Sequence, residues 1–177
     1  PPLQKTDGKG TLLLYSYDSK TNRLKGINYS DGTPGLSLTY NRQGQRKSLS
    51  DVTGVTNYTY SNTAQLVSET KGDDVLSYSY DNLQRQTSLS LSKAGHVINN
   101  MAYSYDTKGR LEKMNSLGSD YTPSYDAYNR STGLTITKAG QTIVTQTKSY
   151  DALSRLSALS YTDASNTSLE SYSYQYD

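Results

Sequence analysis

The stretch Ser77-Tyr78-Ser79-Tyr80-Asp81-Asn82-Leu83-Gln84-Arg85 reads SYSYDNLQR. Tyrosines alternate with serines, and an acid is then followed four residues later by a base. Alternation with period two puts Tyr78 and Tyr80 on one face of an extended strand and the serines on the other. Asp81 ends the alternation, as a short side chain that bonds nearby backbone amides does at a turn. The same texture returns as YSYDSKTNR from Tyr15, YSYDTKGR from Tyr103, PSYDAYNR from Pro123 and KSYDALSR from Lys148. Tyr-Asp…Arg is therefore either an acid–base pair that does chemistry or a unit of architecture. Repetition decides between them.

Taking the tyrosine before the turn as position zero, the motif falls at Tyr17, Tyr40, Tyr60, Tyr80, Tyr105, Tyr125 and Tyr150. An eighth copy begins at Tyr174 or Tyr176. The spacings are 23, 20, 20, 25, 20 and 25 residues, which suits hairpins whose far loops differ in length better than a solenoid of fixed rungs. Position plus one is Asp18, Asn41, Ser61, Asp81, Asp106, Asp126 and Asp151, all turn openers. Position plus four includes Gly44, Gly109 and Asn129, which a positive φ favours. Thr21, Ala64, Gln84 and Ser154 hold the same slot and must bear strain or use another turn. Position plus five is polar throughout and is Arg85, Arg110, Arg130 and Arg155 in the last four copies.

The flanks alternate as well. Position minus one is Ser or Thr in every copy, and minus two is Tyr15, Tyr58, Tyr78 and Tyr103 in four. After the turn, TSLSLS (87–92), TGLTIT (132–137) and SALSYT (157–162) set apolar residues at plus nine and plus eleven. The far ends carry Gly, Asp and Asn clusters, such as Lys93-Ala94-Gly95-His96 and Lys138-Ala139-Gly140-Gln141. No segment holds a helical apolar stripe. The chain reads as all-β, a curved or spiralling antiparallel sheet of side-by-side hairpins. A four-residue loop, plus one to plus four, keeps the tyrosines and the plus-nine residues on one face. That register sets Arg85 opposite Tyr80, Arg110 opposite Tyr105, Arg130 opposite Tyr125 and Arg155 opposite Tyr150. A three-residue loop with a glycine bulge would instead pair Asp with Arg and put plus nine with the serines, so the four-residue loop is the expected one.

Composition agrees with a sheet held by aromatic rings. Of 177 residues, 30 are Leu, Ile or Val and 18 are Tyr, so tyrosine has to supply much of any buried area. The net charge of +2 does not hold the chain open. Cysteine is absent, which excludes disulfides and thiolate metal sites. No stretch approaches the roughly 18 apolar residues of a membrane span. A first residue other than Met, and a last motif cut at Asp177, read as a piece of a larger protein spanning residues 1–177 in one repeat region.

Tyr105-Asp106-Thr107-Lys108-Gly109-Arg110-Leu111 resembles the Tyr-Asp-x-x-Gly-Arg-Leu motif of the Rhs/YD-repeat family. YDSKTNRL from Tyr17 and YNRQGQRKSL from Tyr40 look like its variants, and the resemblance runs from about Tyr15 to Asp177. It implies β-hairpins wound into a spiralling sheet. In bacterial Rhs proteins and insecticidal toxin complexes such a sheet forms a shell around a toxic domain, and in teneurins it belongs to a cell-surface adhesion molecule. The implied role is a structural, non-enzymatic shell segment of a secreted or surface protein. Its partners would be the rest of the same polypeptide and an enclosed toxin domain. The chain departs from the motif at the Tyr60 copy, YSNTAQL, which lacks both Asp and Arg.

Chemistry finds little support elsewhere. Asp18, Asp81, Asp106, Asp126 and Asp151 recur at one turn position, which a turn former predicts and a unique active site does not. His96 is the only histidine and sits in a far-end turn, so a zinc site has no ligand set. No Gly-x-Ser-x-Gly elbow or phosphate loop is present, and no cofactor is implied. Lysine and arginine number 18 against 16 acids, which leaves no basic field for nucleic acid. The rival to a purely structural reading is glycan binding, also attributed to YD repeats, through Tyr58, Tyr78, Tyr103 and Tyr172. The plainer assignment of those rings is to the packed layer of the sheet.

Overall fold

The structure is a computed structural model that describes residues 3–177. Its strands are β1 (Gln4–Thr6), β2 (Leu12–Tyr17), β3 (Leu24–Tyr29), β4 (Leu36–Tyr40), β5 (Arg46–Asp51), β6 (Gly54–Tyr60), β7 (Leu66–Lys71) and β8 (Asp74–Tyr80). They continue as β9 (Gln86–Lys93), β10 (His96–Tyr105), β11 (Leu111–Ser116), β12 (Ser119–Tyr125), β13 (Ser131–Lys138), β14 (Gln141–Tyr150), β15 (Leu156–Asp163) and β16 (Ser168–Ser173). Hydrogen-bonded neighbours follow chain order. There is no helix among the described residues. The chain divides into two compact units. The first holds the described residues up to Ser79 together with Ser90–Ile98, and the second holds Tyr80–Leu89 and Asn99–Asp177.

Each of the seven tyrosines at position zero from Tyr17 to Tyr150 ends its strand, and the following turn has the same hydrogen bonds in six of the seven copies. The amide of Asp106 donates to the carbonyl of Arg110, and that of Gly109 to the carbonyl of Asp106, both at 2.9 Å. The loop is thus three residues long, plus two to plus four, and plus one pairs with plus five. The expected loop of plus one to plus four is overturned in every copy, and the first copy differs from the rest by one further residue, its loop running from plus two to plus five. There Asn22 donates to Asp18 and Asp18 to Arg23, one residue later than elsewhere. The turn position before the return strand takes a positive φ whatever its side chain: Asn22 at 57°, Ala64 at 67°, Gln84 at 63°, Asn129 at 65° and Ser154 at 64°. Ala64, Gln84 and Ser154 bear the strain, whereas the copy with Thr21 uses another turn, in which Asn22 takes the left-handed conformation.

A second bulge restores the faces. Tyr105 pairs with Leu111, but Ser104 pairs with Lys113, so Glu112 is the extra residue. Thr132 and Ser157 are skipped in the same way after Tyr125 and Tyr150, as are Lys47 and Val67 in the first unit. The two irregularities together shift the ladder two residues beyond what a four-residue loop would have supplied, so the parity of the faces is the same. Tyr103 therefore meets Met114 at plus nine, while the serine at minus one meets plus eight.

Neither unit has a filled interior. Leu38 is the one apolar residue that is buried among those described, at 7% exposure. Cohesion is lateral. In the second unit Tyr103, Met114, Tyr121, Ile136 and Val144 stand opposite one another from strand to strand. In the first unit Leu38 meets Leu49, and Tyr58 meets Glu69, which meets Leu76. Such cross-strand pairs contribute roughly 0.2–1 kcal/mol each. The opposite face is polar, with hydroxyl pairs Thr39–Ser48 at 2.6 Å and Thr59–Ser68 at 2.8 Å.

Candidate functional site

The recurring cluster is built from plus one and plus five of one hairpin and position zero of the next. Asp81 Oδ1 accepts the backbone N–H groups of Leu83 and Arg85, both at 2.9 Å, which fixes the turn. Its Oδ2 accepts Arg85 Nε and lies 2.7 Å from Nη2. Asp106–Arg110, Asp126–Arg130 and Asp151–Arg155 repeat this arrangement with Nε–Oδ2 distances of 2.7, 2.6 and 2.7 Å. The backbone N–H of Arg85 holds the Asp81 carboxyl below the ordinary value of 3.8, with help from the guanidinium, and Arg155 does the same for Asp151. For Asp106 and Asp126 partial burial pushes upward, but the amide and guanidinium of Arg110 and Arg130 outweigh it and lower both.

Each arginine then crosses to the following hairpin. Arg85 lies over the ring of Tyr105 at 4.5 Å, Arg110 over Tyr125 at 4.4 Å, Arg130 over Tyr150 at 4.6 Å and Arg155 over Tyr176 at 4.5 Å. The expected stacks of Arg85 on Tyr80, Arg110 on Tyr105, Arg130 on Tyr125 and Arg155 on Tyr150 are not those formed. The three-residue loop sets plus six, not plus five, opposite position zero, and the guanidinium is aimed away from its own strand pair. In the first unit Arg23 and Arg46 approach Tyr40 and Tyr58 at 5.7 and 5.5 Å.

The tyrosine hydroxyl completes the contact. Tyr105 donates to the carbonyl of Gln86 at 2.7 Å, Tyr125 to Leu111 at 3.0 Å, Tyr150 to Ser131 at 2.7 Å and Tyr176 to Leu156 at 2.8 Å. Tyr40 and Tyr60 make the same bond to Leu24 and Arg46, each at 2.8 Å. The acceptor is the first residue of the preceding return strand. The backbone ladder between hairpins has already stopped short of it, for example at Gly133–Thr147 and Ala158–Ser173. A side-chain hydroxyl thus satisfies a carbonyl that the ladder no longer reaches. This bond assigns position zero of the eighth copy to Tyr176.

A third contact runs from plus five to the strained residue of the next turn. Arg110 Nη1 donates to Asn129 Oδ1 at 3.0 Å, and Arg130 Nη1 to Ser154 Oγ at 2.9 Å. Gln45 donates to the carbonyl of Ala64 at 3.0 Å. The Arg23 guanidinium lies so close over Gly44 that a Cβ there would collide with it, and the φ of 85° disfavours a side chain as well. Where the motif lacks its acid, neutral groups copy the turn: Asn41 Oδ1 accepts Gln45 N–H at 2.9 Å, and Ser61 Oγ accepts Thr63 and Gln65 N–H at 3.2 and 3.1 Å. In the longer first turn Asp18 accepts from Lys20 and Thr21 at 3.1 and 2.8 Å.

Tyr17 and Tyr80 end β2 and β8 as the repeat requires. The tyrosines considered for glycan contact meet neighbouring side chains of the sheet, and Tyr58 and Tyr78 both adjoin Glu69. Tyr58 lies by Arg46, Tyr78 donates to Glu69 Oε1 at 2.7 Å, Tyr103 to Met101 Sδ at 3.5 Å and Tyr172 to Glu170 Oε2 at 2.8 Å. Tyr172, 47% exposed, lines a shallow depression with Val144, Tyr161, Leu169 and Glu170. No group of acids and histidine among the described residues could hold a metal ion. No helix among them is long and apolar enough to cross a membrane.

Sequence reasoning left the eighth copy open between Tyr174 and Tyr176, and missed the ring partners Arg23 and Arg46 and the carbonyl acceptors at the start of each return strand. A signal was present. Leu111 and Met114, Leu156 and Leu159, and Leu24 and Ile27 are apolar at a spacing of three. A regular strand cannot put both members on one face, and a bulge can.

The fold and the contacts between hairpins together define a repeat of antiparallel β-hairpins, each turn opened by Tyr-Asp or a neutral variant of it. No family model matches the chain and no curated protein does. Solved structures do. A crystal structure of TcdB2-TccC3-Cdc42 superposes with a TM-score of 0.77 at 17% identity, over 92% of this chain and 9% of that one. The Photorhabdus luminescens Tc holotoxin pore carrying the TccC3 D651A mutation gives 0.79 at 16% identity, over 92% and 9%. TcdB2-TccC3 gives 0.77 at 18%, over 92% and 10%. The chain shares its fold with these toxin-complex proteins and spans about a tenth of the length of the chains it matches.

Proposed function

We propose that the chain is a structural, non-enzymatic strip of wall in a larger secreted or surface-displayed protein, and that the complete wall encloses or presents a toxin domain. One observation supports this most: the repeated acid–base pairs are engaged by backbone amides, by each other and by the tyrosine of the next hairpin. Their chemistry is spent on joining hairpins. The shared fold with toxin-complex proteins points the same way. The partners on this reading are neighbouring hairpins of the same polypeptide and the enclosed domain.

Protease protection in the full-length protein tests it. The domain beyond the repeats should resist digestion while the wall is intact. It should become cleavable when Arg110, Arg130 and Arg155 are all changed to Ala. Equal, rapid cleavage of that domain in both proteins would overturn the proposal.

A further inference from the structure

Three of the four Tyr-Asp turns in the second unit carry an apolar residue at plus three. Leu83, Tyr128 and Leu153 are 72%, 80% and 73% exposed. The fourth carries Lys108, also exposed. The turn itself uses only the backbone here: each of the four gives its N–H to the plus-one aspartate at 2.9 Å. The matching tips of the first unit are polar, with Lys20, Gln43 and Thr63. Exposed apolar side chains on polar turns thus form a row confined to one unit, the kind of surface that marks an interaction.

The order along the row suits one occupant. Consecutive tips lie two strands apart, roughly 9.5 Å at 4.7–4.9 Å per strand. The row reads Leu83, Lys108, Tyr128, Leu153, and its reverse reads Leu153, Tyr128, Lys108, Leu83. Set against its own reverse about a twofold axis, the row brings leucine to leucine at both ends and lysine to tyrosine twice in the middle. An ammonium over a ring is attractive, whereas a parallel arrangement would stack Lys108 on Lys108. Arg130 lies 5.3 Å from the centroid of Tyr128, and its charge is met by Asp126 at 2.6 Å. The high exposure of Tyr128 leaves ring surface for the lysine.

We propose that the tip row Leu83–Lys108–Tyr128–Leu153 is a docking surface for the same row of a second copy of this chain, antiparallel to it. Four side chains, the largest a ring that buries roughly 150–250 Å², fall short of the about 800 Å² per partner of a standard interface. The dimer is therefore weak and depends on concentration.

The chain has no cysteine, so cross-linking reads the geometry directly. Leu83→Cys and Leu153→Cys chains are prepared separately, mixed and oxidised. The mixture should give dimers joined 83 to 153, and neither variant alone should match that yield. Sedimentation of the unaltered chain should show dimer rising with concentration. Leu153→Asp should weaken it by about tenfold or more with little change in the melting temperature, because the Leu153 side chain is 73% exposed and the turn uses only its backbone N–H. Disulfides joining 83 to 83 as readily as 83 to 153 would overturn the proposal. So would a monomer at every concentration up to millimolar, the result expected if the row serves a different partner.

Discussion

At the residue scale, the aspartate at plus one carries two separable tasks. Asp7 and Asp163 open turns with the same backbone pattern at the far end of the hairpins, without any arginine. An acid alone therefore suffices for the turn, and the arginine belongs to the joint between hairpins. The left-handed residue is the local cost. Gln84, where the motif expects glycine, adopts that conformation at φ 63°. Ala64, at φ 67°, offers the cleaner test because the contact from Gln45 reaches only its carbonyl. A left-handed non-glycine costs about 1–2 kcal/mol, and glycine gives back part of that gain through the unfolded chain. Ala64→Gly should stabilise by roughly 0.5–1 kcal/mol in urea titration. The carboxylates set the acid response. Asp81, Asp106, Asp126 and Asp151 have lowered native pKa values. Their contribution is complete above the ordinary 3.8 of the unfolded chain and is lost as pH falls through the lower native values. Urea midpoints should stay level from neutral pH and fall below about pH 4, a fall that Asp106→Asn with Asp126→Asn makes shallower.

At the scale of the element, the hairpin was legible in its parts and misread in its register. Ser-Tyr alternation, the plus-one turn opener and the tyrosine face all follow from period two. The loop length does not. A four-residue loop, and a three-residue loop followed by a bulge at plus seven, place Tyr103 and Met114 on the same face. Hydrophobic parity records only whether the net shift is odd or even, and the two differ by two residues, so it cannot separate them. The destination of Arg110 was hidden for the same reason, because its ring partner lies on another hairpin. Tyr125→Phe isolates the hydroxyl, which leaves the Leu111 carbonyl without its 3.0 Å donor while keeping the ring under Arg110. It should cost about 1–2 kcal/mol, and a cost near zero would assign the bond no weight.

At the scale of the whole molecule, stability without a filled core is a sum of contacts between neighbours. Among the described residues the Asp–Arg pairs fall in the second unit, at 81/85, 106/110, 126/130 and 151/155, while the first unit uses Asn41–Gln45 and Ser61–Gln65 at the same positions. Amide exchange should therefore be slower in the strands of residues 99–163 than in those of residues 12–71. The central claim is that Tyr-Asp…Arg joins one hairpin to the next. The direct measurement is a pair of double-mutant cycles in urea, Arg110→Ala with Tyr125→Leu and Arg110→Ala with Tyr105→Leu. The account predicts a coupling of about 0.5–2 kcal/mol for Arg110 with Tyr125 and a clearly smaller one for Arg110 with Tyr105. The reverse order would mean that the arginine serves its own hairpin, and would contradict the account.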